Sequence, residues 1–204
     1  MNRFPPVFII IVVVGLFFKV FMNRSIKKYN PNEEFLELER KADLTPKKNI
    51  DDLPYIDVSS KELPLDIPTD NEETKEHQYN IRTLEGKKIL NFTGISNTEL
   101  KLAYGAANIH FLQSCDLNFT RLAQNISRLA EDYLNEGHEQ EARQLLEFGI
   151  RIGTDVKKNY TLLADIYQKS GESEKISGLK DTARDINSLS KDGILKALDG
   201  YSPS

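Results

Sequence analysis

The chain has 204 residues and a formal net charge of −4, which leaves room for one modest domain with additional segments. Its single cysteine, Cys115, excludes an intramolecular disulfide framework, and we expect this side chain to be a small buried hydrophobe. Residues 81–204 carry a net charge of −1, so the basic footprint of a nucleic-acid-binding protein is missing and no nucleic-acid partner is expected.

An apolar run near the N-terminus predicts a membrane anchor. Residues 4–22, interrupted only by Lys19, are long enough to span a bilayer as a helix. The small residues of a signal-peptide cleavage site do not follow the run, so an uncleaved anchor is favoured over a signal peptide. More positive charge follows the run than precedes it, which favours a cytoplasmic position for the rest of the chain. We therefore predict that residues 1–28 are a single-pass anchor in a cell membrane, with residues 4–22 in contact with the lipid bilayer.

Residues 29–75 are predicted to be an acidic, proline-containing linker. Residues 29–80 carry 14 acidic and 6 basic side chains and include five of the eight prolines. This composition favours an extended, poorly ordered segment, with one or two helical turns at 33–40. Two stretches, 53–57 and 63–68, combine Leu-Pro with further apolar side chains and could dock into a groove, either of this protein or of a partner.

Sequence patterns predict where the first helices begin. A Thr-x-x-Glu pattern at 69–72 predicts a capping box and a helix that continues to about residue 90. A Ser-x-x-Glu pattern at 96–99 predicts a second capping box and a short helix that ends at Gly105. Asp116 is predicted to be the N-cap of a long helix, so residues 108–115 are expected to be irregular or briefly helical.

The segment 123–188 repeats its own pattern at an offset of 34 residues. Each copy has a leucine, an alanine and a tyrosine on one helical stripe, followed by a glycine where the chain must turn back. A period of 34 residues is that of the tetratricopeptide helix–turn–helix. The pattern, with Ala142 as the small residue of the first returning helix, resembles the tetratricopeptide family. The paired positions are Leu129 and Leu163, Ala130 and Ala164, Tyr133 and Tyr167, and Gly137 and Gly171.

The resemblance implies an all-α fold of antiparallel helical hairpins stacked as an α-solenoid, preceded by one transmembrane helix and an extended linker. The helical domain is predicted to cover 76–204, with repeats at about 123–156 and 157–190 and a capping helix at 190–199. Helices between 76 and 105 are expected to complete the stack as degenerate units. The sequence departs from the family pattern at Ile126, where tryptophan is usual, and at Ile176, where alanine is usual. The proline that ends each unit of the family pattern is also absent, with Thr154 and Ser188 in its place. The chain also looks like uncharacterised single-pass membrane proteins of bacteria.

The resemblance also indicates a candidate peptide groove, because the first helix of each unit lines a concave surface in tetratricopeptide proteins. The subfamily that grips chaperone tails holds a carboxylate with lysine and asparagine, and only Lys158 fits that scheme. A mixed, mildly polar groove favours an extended segment of a protein partner, or the chain's own Leu-Pro stretches. The candidate residues are Gln124, Ser127, Arg128, Glu131 and Asn135 in the first unit, and Lys158, Thr161, Leu162, Asp165, Gln168 and Lys169 in the second.

The sequence lacks a phosphate-binding glycine loop, a nucleophile elbow and a metal-ligand pairing, so we expect no catalytic site, no metal and no cofactor. The expected function is that of a membrane-anchored adaptor or scaffold that mediates a protein–protein interaction at the cytoplasmic face. The alternative is an extracytoplasmic envelope-assembly or structural factor with the same fold. Asn-x-Ser/Thr sequons at Asn91, Asn118, Asn125 and Asn159 do not distinguish between the two.

Overall fold

A computed structural model describes residues 31–59 and 62–201, and the predicted anchor at 1–28 lies outside these residues. Regular structure in the described residues is entirely helical, which confirms the predicted all-α class. None of the described helices has the length and hydropathy that a membrane span requires. The helices are α1 (Pro31–Asp43), α2 (Glu72–Arg82), α3 (Asn97–Tyr104), a 3₁₀ helix (Ala106–Asn108), α4 (Ile109–Asn135), α5 (Glu139–Arg151), α6 (Lys157–Lys169), α7 (Glu174–Asp185) and α8 (Lys191–Leu198).

The chain divides into two compact units, Met1–Lys41 and Ala42–Ser204. The described part of the first unit is most of α1. Pro31 stands at the first helical position, where a missing N–H costs little, and Glu33 and Glu34 in the first turn favour the positive end of the helix dipole. These signals explain why α1 is longer than the one or two turns predicted at 33–40.

One of the two predicted capping boxes is correct. The Ser96 side chain accepts a hydrogen bond from the backbone N–H of Glu99, whose carboxylate accepts from the backbone N–H of Ser96, and α3 ends before Gly105 as predicted. The prediction for α2 is wrong at both ends. Its N-cap is Asn71, which accepts from the N–H of Glu73, and the helix ends at Arg82 rather than near residue 90.

The long helix α4 begins at Ile109, so the prediction that Asp116 is its N-cap is wrong. Leu112 and Cys115 are buried, and they extend the apolar stripe of the helix toward its N-terminus. The Asp116 carboxylate instead accepts a hydrogen bond from the backbone N–H of Phe92 at 3.0 Å. The side chain therefore ties the loop before α3 to the second turn of α4.

The second half of the chain consists of helices that pack against their neighbours in sequence. Helix α4 packs on α5, α5 on α6, and α6 on α7, while α8 lies against both α6 and α7. Small residues in the contacts allow this close approach, since Ala130, Ala142, Ala164 and Ala183 are all fully buried. The main core also contains Leu122, Ile126, Leu129, Leu145, Leu146, Leu163, Ile176, Leu179, Ile194 and Leu198.

Helices α4 and α6 end in the same way. Gly137 and Gly171 have positive φ angles of 86° and 75°, which glycine adopts without strain. At the first end the N–H of the residue after the glycine donates to the carbonyl of Tyr133 at 2.7 Å, and at the second end the equivalent N–H donates to the carbonyl of Tyr167 at 2.8 Å. Both ends are thus Schellman motifs, 34 residues apart.

The segment predicted as a linker contributes to the core. Val58, Leu63 and Leu65 are at most 3% exposed and belong to the same apolar cluster as α4 and α5. The compact unit begins at Ala42, so the predicted domain boundary at residue 76 lies inside it. The prediction of a poorly ordered segment was based on its prolines and acidic charge. It failed because Val58, Leu63 and Leu65 pack into the apolar core of the unit.

Candidate peptide-binding surfaces

The extended stretch 62–68 lies against α2, α4 and α5, and these helices recognise its backbone. The Tyr133 hydroxyl donates to the carbonyl of Pro64 at 2.6 Å, and the side-chain amide of Gln78 donates to the carbonyl of Ile67 at 2.8 Å. The same amide donates to the Tyr133 hydroxyl at 3.0 Å, so the two side chains form one network. This stretch therefore docks on the protein's own helices, an outcome that the sequence left open.

Two further side chains hold the stretch, one at its middle and one at its start. The Arg82 guanidinium donates to the carbonyl of Leu65 and contacts the Asp66 carboxylate at 2.5 Å. The Gln144 amide of α5 donates to the carbonyl of Glu62 at 2.7 Å. Most of these bonds go to main-chain carbonyls, while the leucine side chains enter the core. The helical scaffold is thus built to bind an extended chain with apolar side chains on one side.

The other Leu-Pro stretch, 53–57, packs mostly on a second apolar cluster, although its Ile56 lies against the main core. Leu53 and Tyr55 lie against a smaller apolar cluster that includes Leu90, Phe92 and Leu112. The Lys88 ammonium lies 4.1 Å from the centre of the Tyr55 ring, a cation–π contact. The stretch therefore closes the side of the unit formed by α3 and the start of α4.

The predicted packing residues occupy comparable places in the two halves. The side chains of Leu129, Ala130, Tyr133, Ala142, Leu163, Ala164 and Tyr167 are buried, and Gly137 and Gly171 lie at helix ends. Each tyrosine hydroxyl bonds to a helix that precedes its own: Tyr133 contacts Gln78 of α2, and Tyr167 donates to Glu147 of α5 at 3.0 Å. Burial raises the pKa of Tyr133 to about 12, so its hydroxyl is a donor at physiological pH.

An ion-pair cluster fixes the turn between α6 and α7. Arg143 donates two hydrogen bonds to Glu172, at 2.5 and 3.2 Å, and a third to Glu147 at 2.9 Å. The hydrogen bonds from Arg143, followed by that from Lys175, lower the pKa of Glu172 to about 2. The guanidinium also lies 5.2 Å from the Tyr167 ring centre. This cluster joins α5 to the second hairpin.

The candidate groove residues of α4 form one exposed stripe with a single exception. Gln124, Arg128 and Asn135 are exposed, and Glu131 is half-buried. Ser127 is only 5% exposed, because it shares a helical face with the buried Ala123 and Ala130 rather than with its proposed neighbours. The stripe also includes the exposed Arg121, one turn before Gln124, which sequence reasoning missed although its i−3 spacing was a usable signal. We name the exposed Arg121, Gln124, Arg128 and Asn135, together with the half-buried Glu131, the α4 stripe.

The candidate groove residues of α6 are divided between an open part and a covered part. Lys158, Gln168 and Lys169 are exposed, whereas Thr161, Leu162 and Asp165 are half-buried. The Tyr201 hydroxyl covers two of them, because it lies 2.7 Å from a carboxylate oxygen of Asp165 and 3.2 Å from the carbonyl oxygen of Thr161. Burial, together with the bond to Asp165, raises the pKa of Tyr201 to about 12. Tyr201 thus covers part of this half of the candidate groove.

The two helices are joined across the surface by an ion pair between Lys158 and Glu131. Both partners are between 40 and 50% exposed, so the pair orients side chains more than it stabilises the fold. The neighbouring Lys157 is exposed and was also missed by sequence reasoning. The α4 stripe and the first turn of α6 therefore form one continuous polar surface.

The sequons and the cysteine are engaged in the fold. The side-chain amides of Asn91, Asn118 and Asn125 donate to backbone carbonyls, and that of Asn159 donates to the Thr154 hydroxyl. Cys115 is 1% exposed, as expected, and burial raises the pKa of its thiol. Within residues 31–59 and 62–201, no group of His, Cys, Asp and Glu is arranged to hold a metal ion.

Comparison of the chain with protein-family models, with curated proteins and with solved structures finds no match.

Proposed function

We propose that the protein is a membrane-anchored adaptor whose stacked, tetratricopeptide-like hairpins hold a segment of a protein partner at the cytoplasmic face. The observation that carries the proposal is the α4 stripe, an exposed row of long polar side chains bordered by α6. A row of exposed Arg, Gln and Asn side chains supplies hydrogen-bond donors with defined directions. Such a surface suits the recognition of another polypeptide chain.

Two equivalences support the assignment of α4–α5 and α6–α7 as repeats. The Schellman motifs after Tyr133 and Tyr167 recur at the 34-residue offset. The turns before α6 and α8 do so as well, since the Thr154 hydroxyl accepts from the N–H of Val156 and the Ser188 hydroxyl accepts from the N–H two residues later. These polar turns stand where the family's terminal proline would stand. Helix α2 takes the place of a preceding second helix.

The anchor at 1–28 remains a prediction from its apolar run and basic flank. The proposed adaptor role combines this predicted anchor with the α4 stripe, because a binding surface tethered to the membrane raises the local concentration of its partner there. The docked stretch 62–68 supports the proposal indirectly, since it is an example in this molecule of an extended chain held by these helices.

Site-specific crosslinking tests the proposal. A photoreactive amino acid at Gln124, in the α4 stripe, is expected to capture a protein of defined mass in living cells. The matched control places the same amino acid at Ser177, which is exposed on α7. Equal capture from both positions, or capture from neither, would refute a binding role for the stripe.

A thiol reporter tests sidedness. Leu189 is fully exposed, whereas the native Cys115 thiol is buried, so Leu189→Cys gives one accessible thiol in the described part of the chain. Labelling by a membrane-impermeant maleimide only after permeabilisation is expected for a cytoplasmic domain. Labelling in intact cells would support the extracytoplasmic alternative instead.

A further inference from the structure

The polar surface made by the α4 stripe and α6 carries cations that the fold does not neutralise. Arg121 and Arg128 are exposed on the stripe, and Lys157 is exposed at the start of α6. None of the three has an ion-pair partner among the described residues. Elsewhere in the unit, the exposed Arg184, Lys175 and Lys75 contact carboxylates, whereas Lys87 and Lys196 have no carboxylate partner among the described residues.

The acidic side chains on this surface are already engaged. Glu131 pairs with Lys158, and Asp165 accepts a hydrogen bond from Tyr201. With Lys169, the surface contains five cations and two acids, a net charge of +3, whereas residues 81–204 together carry −1. Positive charge is therefore concentrated on this face of the unit.

Local helix chemistry does not account for the two lysines at the start of α6. Lys157 and Lys158 occupy the first turn, which contains no acidic residue. Cations at this end are repelled by the positive end of the helix dipole. Their position is unfavourable for α6, but it brings Lys158 to the α4 stripe, where it pairs with Glu131.

We infer that this surface binds an acidic, extended segment of the protein partner, one rich in Asp or Glu. The inference rests on the proposed function and gives the partner its chemistry. Arg121, Arg128 and Lys157 supply the charge complementarity, and the amides of Gln124 and Asn135 supply donors and acceptors for a backbone. A peptide is favoured over an anionic membrane surface because Gln124 and Asn135 offer side-chain donors and acceptors that match a polypeptide backbone.

The test uses the full chain in detergent and a fluorescein-labelled Glu-Ser repeat peptide, with a Gln-Ser repeat as the uncharged counterpart. Anisotropy titration is expected to show binding of the glutamate peptide that weakens at high ionic strength, and no binding of the glutamine peptide. Replacing Arg121, Arg128 and Lys157 by glutamine is expected to weaken binding about tenfold, from roughly twofold for each exposed charge pair. The control replaces Lys87, Lys191 and Lys196, which removes the same charge elsewhere and should change binding little.

Each contrary result has a distinct meaning. Equal loss in the two triple variants would overturn the inference, because net charge alone would explain the binding. The inference would also be overturned if the glutamate peptide does not bind. The same holds if replacing the three cations weakens only the binding of phosphatidylserine vesicles, or only the self-association of the chain. If the peptide fails while crosslinking from Gln124 persists, only the acidic chemistry is wrong. If the crosslink also fails, the adaptor function itself is refuted.

Discussion

Leu65 is the best place to test whether the acidic segment is part of the folded unit. Its side chain is 1% exposed and belongs to the main apolar core, although it lies in an extended stretch between two prolines. Leu65→Ala removes buried apolar groups and leaves a cavity, which costs about 2–5 kcal/mol when the surroundings relax little. The neighbouring Pro64 and Ile67 carbonyls are fixed by hydrogen bonds, so we expect about 3 kcal/mol.

The assay is urea unfolding of the full chain in a mild detergent, followed by far-ultraviolet circular dichroism. In a thermal scan of the same sample, a loss of about 3 kcal/mol corresponds to a decrease in Tm of roughly 6–12 °C for a domain of this size. Leu189→Ala is the control, because this leucine is fully exposed and should change the stability by less than about 0.5 kcal/mol. If Leu65→Ala behaves like the control, the stretch does not pack on α2, α4 and α5, and the reasoning about the segment fails.

Three further predictions use the same measurement of unfolding. Tyr133→Phe should cost about 1–3 kcal/mol, because the carbonyl of the half-buried Pro64 loses its donor; an unchanged midpoint would contradict this. The pKa of Glu172 is lowered to about 2, so its stabilising contribution is complete above the ordinary value of 4.5 and is lost as the pH falls toward 2. Glu172→Gln should therefore flatten the acid limb of the stability profile, and a parallel profile would be evidence against the ion cluster. Gly94→Ala should destabilise the fold, because its Cβ would lie 1.9 Å from a backbone oxygen at a φ of 77°, whereas Gly178→Ala, in a helix with open space around it, should stabilise by roughly 0.5–1 kcal/mol.

The all-α class and several helix ends could be predicted from the sequence because they depend on local chemistry. The Ser96–Glu99 capping box and the glycines at 137 and 171 act on hydrogen bonds within one or two turns of chain. The burial of both tyrosines follows from helical periodicity. Local rules failed for the starts of α2 and α4. Thr69 and Asp116 are residue types that often cap helices, but the structure caps α2 with Asn71 and begins α4 at Ile109.

The candidate binding surface was only partly predictable from the sequence. The resemblance led to Gln124, Arg128 and Glu131, which are on the exposed stripe, but also to Ser127, which is buried. Arg121 could have been found by extending the same spacing by one turn. The cover that Tyr201 provides over Asp165 could not, because it joins residues 36 positions apart.

The sequence by itself determined the all-α class, where the glycine turns at 137 and 171 lie and which stripe of the helices around them is apolar, since these depend on neighbours within a turn. Only the tertiary structure decided that residues 62–68 belong to the core and which polar side chains remain free. Proline and acidic charge describe how a segment behaves in water, but its packing depends on whether a distant surface offers an apolar site and donors for its carbonyls. Here Tyr133, Gln78 and Arg82 provide those donors, and no local sequence pattern predicts these contacts.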